Sequence, residues 1–342
     1  MRQMNDLPDI TLNALTSSQA ALLLRVHESS VKRWSNGGGL KSEKTAGGHR
    51  RIRFSDLTEF CHNQPFHADI LFFAPHEEEV AQAALAAREQ GDFTGLQELV
   101  LRFCDTESPR WLVKLIRYLN EAIDLPLGKL FDAAIGGALA EVGRQWQTGA
   151  RTIALEHRFT QKVLDALHGL LNAYEEDAEA AASIAASAAA PGQAAERRPH
   201  AIVGCSEACF HEIGGFMARL LLLRAGWTVT YLGANVPYEE VAGIQELERA
   251  QLVCIGFAPP LGTVDVRRCL KVLGAMRRAA SNYHLVVGGV PYAAGTEHLY
   301  ESAVPVTFAT TMERFAFWLA REFPSLENNT PTALAAPVEA TS

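Results

Sequence analysis

The sequence predicts a multidomain α and α/β protein: a small helical module with a basic hairpin, then a helical bundle, then a doubly wound parallel sheet. Three observations predict that order. Between Arg25 and Arg53 eight Lys/Arg stand against two Glu, a local balance of +6 in a chain of net charge −8. From residue 76 to residue 174 apolar residues recur at helical spacing, with breaks at Gly91-Asp92, Glu107-Ser108-Pro109 and Gly149, the pattern of helices packed side by side. Beyond residue 200, short apolar runs alternate with amphipathic ones, as in a parallel sheet covered on both faces.

A chain of 342 residues divides into two or three domains. With 48% hydrophobic and 20% charged residues it can bury a sizeable core, which excludes global disorder. The strongest apolar run, around Leu220–Leu223, is far too short to span a bilayer, and the first twenty residues lack the features of a secretory signal. A cytoplasmic protein with no membrane partner is the expectation. Six cysteines (Cys61, Cys104, Cys205, Cys209, Cys254, Cys269) form no CxxC pair. They read as buried small hydrophobes or isolated thiols, not as a disulfide framework or zinc cluster.

In chain order, a loose tail precedes a first domain at 11–75. Leu15 to Arg25 makes its first helix, capped at Ser17 or Ser18. Val26-His27-Glu28 turns the chain into a second short helix, Ser29 to Trp34, with Trp34 packing against the first. Asn36-Gly37-Gly38-Gly39 is a loop, Lys41 to Arg53 a basic hairpin turned at Gly47-Gly48, and Ser55 to Phe60 a helix capped by Ser55. The bundle at 76–174 takes predicted helices Glu78–Arg88, Leu96–Phe103, Trp111–Ile123, Leu130–Trp146 and Ile153–Ala173. The Ala/Ser-rich stretch 175–199 lacks a stripe of large apolar residues and meets Pro191-Gly192, so it reads as a linker, helical at its start and mobile later.

The domain at 200–326 takes predicted strands Ala201–Gly204, Thr228–Leu232, Leu252–Phe257, Tyr283–Val287 and Val304–Phe308. Its predicted helices are Glu212–Ala225, Tyr238–Arg249, Val264–Ala280, a helix or loop at Ala294–Ser302, and Met312–Glu322. A disordered tail, 327–342, follows.

Lys32 and Arg33 share the second short helix, and Arg50, Arg51 and Arg53 follow Gly47-Gly48-His49. A tight turn carrying arginines suits a DNA backbone or a narrow minor groove, because only the contacting surface has to neutralise phosphates. The bland reading is a solvated charge run. Residues Ser29-Ser30-Val31-Lys32-Arg33-Trp34, Gly39-Leu40 and the string Thr45-x-Gly47-Gly48-His49-Arg50-Arg51-x-Arg53-Phe54-x-Asp56-Leu57 resemble the winged helix-turn-helix of the MerR family of transcription regulators. The resemblance implies Ser29, Ser30, Lys32 and Arg33 in the major groove of double-stranded operator DNA. It implies His49, Arg50, Arg51 and Arg53 at the backbone or minor groove.

His211 falls between the first strand and its helix, with Gly214-Gly215 one turn later. In a doubly wound sheet that loop is a favoured ligand position, and glycines there permit close approach. A histidine so placed can ligate a metal through one ring nitrogen while an acidic neighbour orients the other; the bland reading is a structural or merely exposed histidine. Gly233, Gly256 to Pro259 and Gly288-Gly289 follow successive strands and leave room for a large flat or extended ligand. Residues 199–325 resemble the cobalamin-binding domain of methionine synthase, mutases and related sensors, matching at Cys209-Phe210-His211-Glu212-Ile213-Gly214. The resemblance implies His211 as the lower cobalt ligand, Gly214 as the close-approach residue, and Gly233, Gly256, Gly288 and Gly289 around the nucleotide tail. Two residues depart from it. Cys209 stands where an acidic partner is common, with Glu207 or Glu212 as the substitute, and Gly256 and Ala258 stand where a serine often contacts the tail.

In the bundle, Val142-Gly143-x-x-Trp146-x-x-Gly149 leads to Glu156-His157. A Trp, Glu and His at a helix junction can line a pocket over a planar cofactor, or can be a hinge anchor beside an exposed pair. The whole order resembles the CarH/LitR class of light-responsive repressors: MerR-type domain, four-helix bundle, cobalamin domain. That resemblance implies Trp146, Glu156 and His157 over the adenosyl group of adenosylcobalamin, and a homotetramer on operator DNA in the dark. It further implies competition with RNA polymerase at the promoter, a smaller oligomer after photolysis, a nucleoid-associated protein and no catalytic residue. Gln147 departs from the class, which places a histidine there. A second reading gives the C-terminal domain haem or another tetrapyrrole, or no cofactor and a role as an interaction module. A cobalamin enzyme is disfavoured, since no substrate barrel accompanies the sheet.

Overall fold

The computed structural model describes residues 12–63, 68–188, 198–259, 261–274, 283–289, 302 and 304–324. Both expected tails, Pro191-Gly192 and most of Ala294–Ser302 lie outside the described residues. The chain divides into two units, and the division between Ala166 and Leu167 falls inside a long helix.

The first unit opens with α1 (Ser17–Leu24), α2 (Glu28–Asn36), β1 (Glu43–Lys44), β2 (Arg50–Arg51) and α3 (Phe54–His62). The cap of α1 is Thr16, not Ser17 or Ser18. Its hydroxyl accepts the Gln19 N–H at 3.1 Å, and the Gln19 side chain accepts the Thr16 N–H at 2.8 Å. Only the residue still in extended backbone can turn its oxygen onto the first-turn donors. By the same rule α3 starts behind Arg53, so Ser55 lies inside the helix and caps nothing. β1 and β2 pair antiparallel, Glu43 opposite Arg51 and Lys44 opposite Arg50, around a turn in which Gly48 takes φ 79°. Trp34 packs on Phe60 of α3, ring centroids 5.0 Å apart. Val31, the buried residue of α2, already fills the face toward the core.

The helical region follows: α4 (Glu77–Leu85) continuing as a π-helical turn Ala86–Gln90, α5 (Thr94–Asp105) and α6 (Pro109–Glu121). Then α7 (Leu127–Lys129), π-helical Leu130–Gly136 and α8 (Gly137–Gln147) run on without a break. Phe73, Phe103, Phe131 and Phe159 fill its interior. The first domain is tied to these helices, because the Tyr118 hydroxyl donates to the Leu23 carbonyl at 3.1 Å and Gln19 donates to the Glu89 carboxylate.

Helix α9 runs from Ile153 to Ala188, past residue 175 where a linker is expected. Alanine is the strongest helix former, and the helix persists although no residue from Glu175 to Ile184 is buried. Within the second unit His168 packs on Phe216 (4.4 Å) and Arg224 lies over Tyr174 (4.8 Å).

That unit is a five-stranded sheet, β3 (His200–Cys205), β4 (Thr228–Gly233), β5 (Leu252–Phe257), β6 (His284–Gly289) and β7 (Val306–Ala309), all parallel in the order β4-β3-β5-β6-β7. Ile202, Val253, Leu285 and Val287 pack with α11 (Tyr238–Glu248) and α12 (Thr263–Leu273) on one face. On the other lie α10 (Ile213–Arg224) and α13 (Met312–Glu322). The order turns back between β3 and β5, which opens a crevice at their carboxyl ends. No helix among the described residues is long and apolar enough to cross a membrane.

Candidate functional site

The basic residues of the first domain gather on the outer side of α2 and the hairpin. Val31 points into the core, and the helical period then turns Ser29, Lys32 and Arg33 outward. Ser29, Lys32, Arg33, His49 and Arg53 are exposed, and Ser30, Arg50 and Arg51 half-buried. Several cations already have partners. Lys32 pairs with Glu28 one turn back and Arg53 with Glu43, each at 3.1 Å. Arg50 donates to Asn36, and Arg51 donates to the Arg50 carbonyl. Exposed pairs of this kind are worth little, so a phosphate can displace them.

In the second unit β3 ends at Cys205, and the loop to α10 presents an exposed His211 at the mouth of a crevice between the sheet, α10 and α13. The crevice encloses about 550 Å³ including its open mouth. A row of small residues in register crosses the strand ends: Cys205 beside Gly256, Gly256 beside Gly288, Gly288 beside Ala309. Gly215 brings α10 close on the facing side, where a Cβ would meet Cys205 Sγ at 3.4 Å, while a Cβ on Gly214 would meet Met312 Cε at an ordinary 3.9 Å. Gly289 has φ 102°, and a Cβ there would collide with the Phe257 carbonyl. The structure thus brings His211, Gly214, Gly256, Gly288 and Gly289 to one crevice. Gly233 stands apart, at the end of β4 on the far side of β3.

The histidine loop is tied from beneath. Ser206 Oγ lies 2.5 Å from the Tyr238 hydroxyl. The Glu207 carboxylate accepts from Arg268 Nε (2.6 Å) and from the Tyr238 N–H (3.1 Å), and the Arg268 guanidinium holds its carboxyl below the usual carboxylate range. Glu212 accepts from the Tyr231 hydroxyl at 3.2 Å. Both carboxylates expected to orient His211 are therefore engaged elsewhere, and the His211 ring makes no hydrogen bond among the described residues. Cys209 is buried, with Cys205 and Cys209 both directing Sγ at the His211 carbonyl, at 3.7 and 4.0 Å. The neighbouring Cys205 thiol draws the Cys209 thiol below its ordinary range and is itself pushed up.

Residues 14–64 match a helix-turn-helix domain, and residues 199–314 match the B12 binding domain. The HTH-type transcriptional repressor CarH of Myxococcus xanthus is 33% identical over 117 residues, 34% of this chain and 33% of that protein. The chain has a CarH-like helix-turn-helix plus cobalamin-binding architecture. The match spans about a third of the curated relative's length. Among solved structures, the monomethylamine corrinoid protein of Methanosarcina barkeri covers 68% of this chain and 99% of its own at 14% identity and TM-score 0.47. A cobalamin-binding protein from Desulfitobacterium hafniense DCB-2 covers 70% and 96% at 17% identity and TM-score 0.32.

The cobalamin-binding domain offers this cofactor a fitting cradle. Side chains larger than a methyl at Gly256 and Gly288 would occupy the crevice that an extended tail needs. A single exposed imidazole suits a metal that arrives already ringed by a macrocycle.

In the helical region Trp146 is exposed at the end of α8, followed by an exposed Gln147. Glu156 and His157 pair at 2.7 Å in the first turn of α9, and the Thr160 hydroxyl donates to Glu156 at 2.9 Å. The loop between the two helices is anchored by Arg151, which pairs with Asp105. Sequence reasoning missed Arg151, Tyr238, Arg268 and Asn235. Of these only Asn235 carried a readable signal, since asparagine two residues after a strand-ending glycine is apt to take left-handed backbone.

Proposed function

We propose that this chain is a light-responsive transcriptional repressor, which occupies operator DNA as an adenosylcobalamin-bound tetramer in the dark and releases it on photolysis. One observation carries the reading: a helix-turn-helix domain shares the chain with a cobalamin-binding domain whose exposed His211 stands at the mouth of a glycine-rich crevice. Bound adenosylcobalamin supplies a photolabile cobalt–carbon bond.

His211 would hold the cofactor's cobalt through one ring nitrogen. Gly214, Gly256, Gly288 and Gly289 leave space for the nucleotide tail, and Gly233 shapes the neighbouring loop. Trp146 shields the upper ligand from water, and Glu156, paired with His157, accepts hydrogen bonds from ribose hydroxyls or the adenine amine. Methylcobalamin offers neither the area nor the donors, so it leaves polar groups unmatched. Gln147 offers no imidazole to the cofactor, so the light state would be less persistent and fresh adenosylcobalamin would restore the dark form.

Ser29, Ser30, Lys32 and Arg33 read the operator, while His49, Arg50, Arg51 and Arg53 engage phosphates or the minor groove. One such module buries little DNA surface, so binding draws on several copies, and repression follows from competition with RNA polymerase. In this reading the protein is a regulator in the cytoplasm, at the nucleoid, and not an enzyme.

Size-exclusion chromatography in dark and light, with adenosylcobalamin or methylcobalamin, tests this on the full chain and on Trp146→Ala. Tetramer and operator binding are expected only with adenosylcobalamin in the dark and only with Trp146 present. Identical oligomers in every condition refute the light switch even where cobalamin binds.

A further inference from the structure

We propose that Asn235 is a positioning residue for His211, clamping the histidine loop in the geometry that cobalt ligation needs. The inference rests on the reading of His211 as a cobalt ligand.

Two residues outside the glycines hold left-handed backbone on facing loops: Ala208 in the β3–α10 loop, φ 60°, and Asn235 in the β4–α11 loop, φ 52°. Asn235 binds the Ala208–Cys209 turn through both its side chain and its backbone. The Ala208 N–H donates to Asn235 Oδ1 at 2.8 Å, and the Asn235 N–H donates to the Cys209 carbonyl at 2.9 Å. Asparagine reaches the left-handed region easily, and alanine does so at a steric cost. Ala208 is exposed and gains little from packing, so its strained turn persists because Asn235 holds it from both ends. From Ala208 the chain needs three residues to reach His211.

The clamp matters because no described residue hydrogen-bonds the imidazole itself. Glu207 is committed to Arg268 and Tyr238, and Glu212 to Tyr231. The ring is therefore aimed by the backbone of its own loop. Glu207 and Ser206 secure the half that leaves β3, and Asn235 secures the half that carries the histidine. Loss of the Asn235 acceptor lets Ala208 relax to ordinary backbone, and His211 then samples orientations in which its nitrogen misses the metal.

The test uses the full chain produced with histidine labelled in heavy nitrogen and loaded with cob(II)alamin. Electron paramagnetic resonance separates a heavy-nitrogen ligand, which is histidine, from the light-nitrogen base of the cofactor itself. Asn235→Gly keeps left-handed freedom and removes the acceptor, whereas Asn235→Asp keeps both. Wild type and Asn235→Asp should show the histidine pattern, and Asn235→Gly should lower the ratio of histidine-ligated to histidine-free cobalt roughly tenfold, the worth of about one well-made hydrogen bond to preorganisation. His211→Ala should abolish the pattern. A full histidine pattern in Asn235→Gly overturns the clamp alone, as does an Asn235→Asp chain that loses the pattern as completely as Asn235→Gly. Absence of the pattern from wild type overturns the axial role of His211, and the clamp with it.

Discussion

Arg151 and Asp105 form a two-pronged salt bridge, Nη1 to Oδ1 at 2.9 Å and Nη2 to Oδ2 at 2.6 Å. The same guanidinium donates to Gln145 at 3.1 Å and lies over the Phe159 ring at 5.6 Å. It joins α5, the end of α8 and the start of α9 through one side chain, and so sets the loop that separates Trp146 from Glu156. The Arg151 side chain is only 11% exposed. Asp105→Asn leaves that charge poorly matched away from water and is expected to cost about 2–3 kcal/mol. Urea unfolding should show the loss as a lower midpoint with an unchanged slope; a midpoint equal to wild type would deny the bridge any structural role.

Gly256 controls the crevice floor. A methyl there meets the Gly204 carbonyl at 3.8 Å, an ordinary contact, so Gly256→Ala should bind cobalamin nearly as wild type does. Gly256→Val adds branches over the floor and should weaken binding by about tenfold or more, a loss of roughly 1.4 kcal/mol. Titration in the dark followed by absorbance measures both. Equal affinities would place the tail outside this crevice.

Glu43 holds Arg53 at 3.1 Å on the surface of the hairpin. Arg53→Ala should flatten the dependence of log affinity on log salt by about 0.9 for operator and unrelated duplex alike. Glu43→Gln frees the arginine and removes a negative charge. It should tighten binding to both duplexes a few-fold at low salt without improving the preference for operator. Selective tightening on operator alone would assign Glu43 to base reading instead.

His284 offers a pH signature. Its Nε2 lies 2.8 Å from Thr307 Oγ1 and its ring 4.8 Å from that of Trp318, and burial pushes its pKa below the ordinary 6.5. The unfolded chain then binds the proton more readily than the folded one. Stability from this group is whole above pH 6.5 and declines as pH falls from there toward the folded value. His284→Gln should remove that decline, seen as a smaller drop in unfolding free energy between about pH 7 and pH 5. An unchanged pH profile would mean that His284 titrates alike in both states.

Domain order, sheet class and the two motif-bearing loops were legible in the residues themselves, for physical reasons that are local. Strand and helix announce themselves by period, so β5 and α13 fall where the apolar pattern puts them, and a hairpin needs only Gly47-Gly48 between basic arms. His211 could be placed at a strand end from its neighbours alone. Tertiary structure decided what depends on residues distant in sequence. Helix α9 outlasts its buried stripe, Trp34 finds Phe60, and Gly256, Gly288 and Ala309 become one floor only when three strands align in register. Left-handed Ala208 is intelligible only beside Asn235, because its strain is relieved by hydrogen bonds from a loop that the fold, and not the local sequence, brings to it.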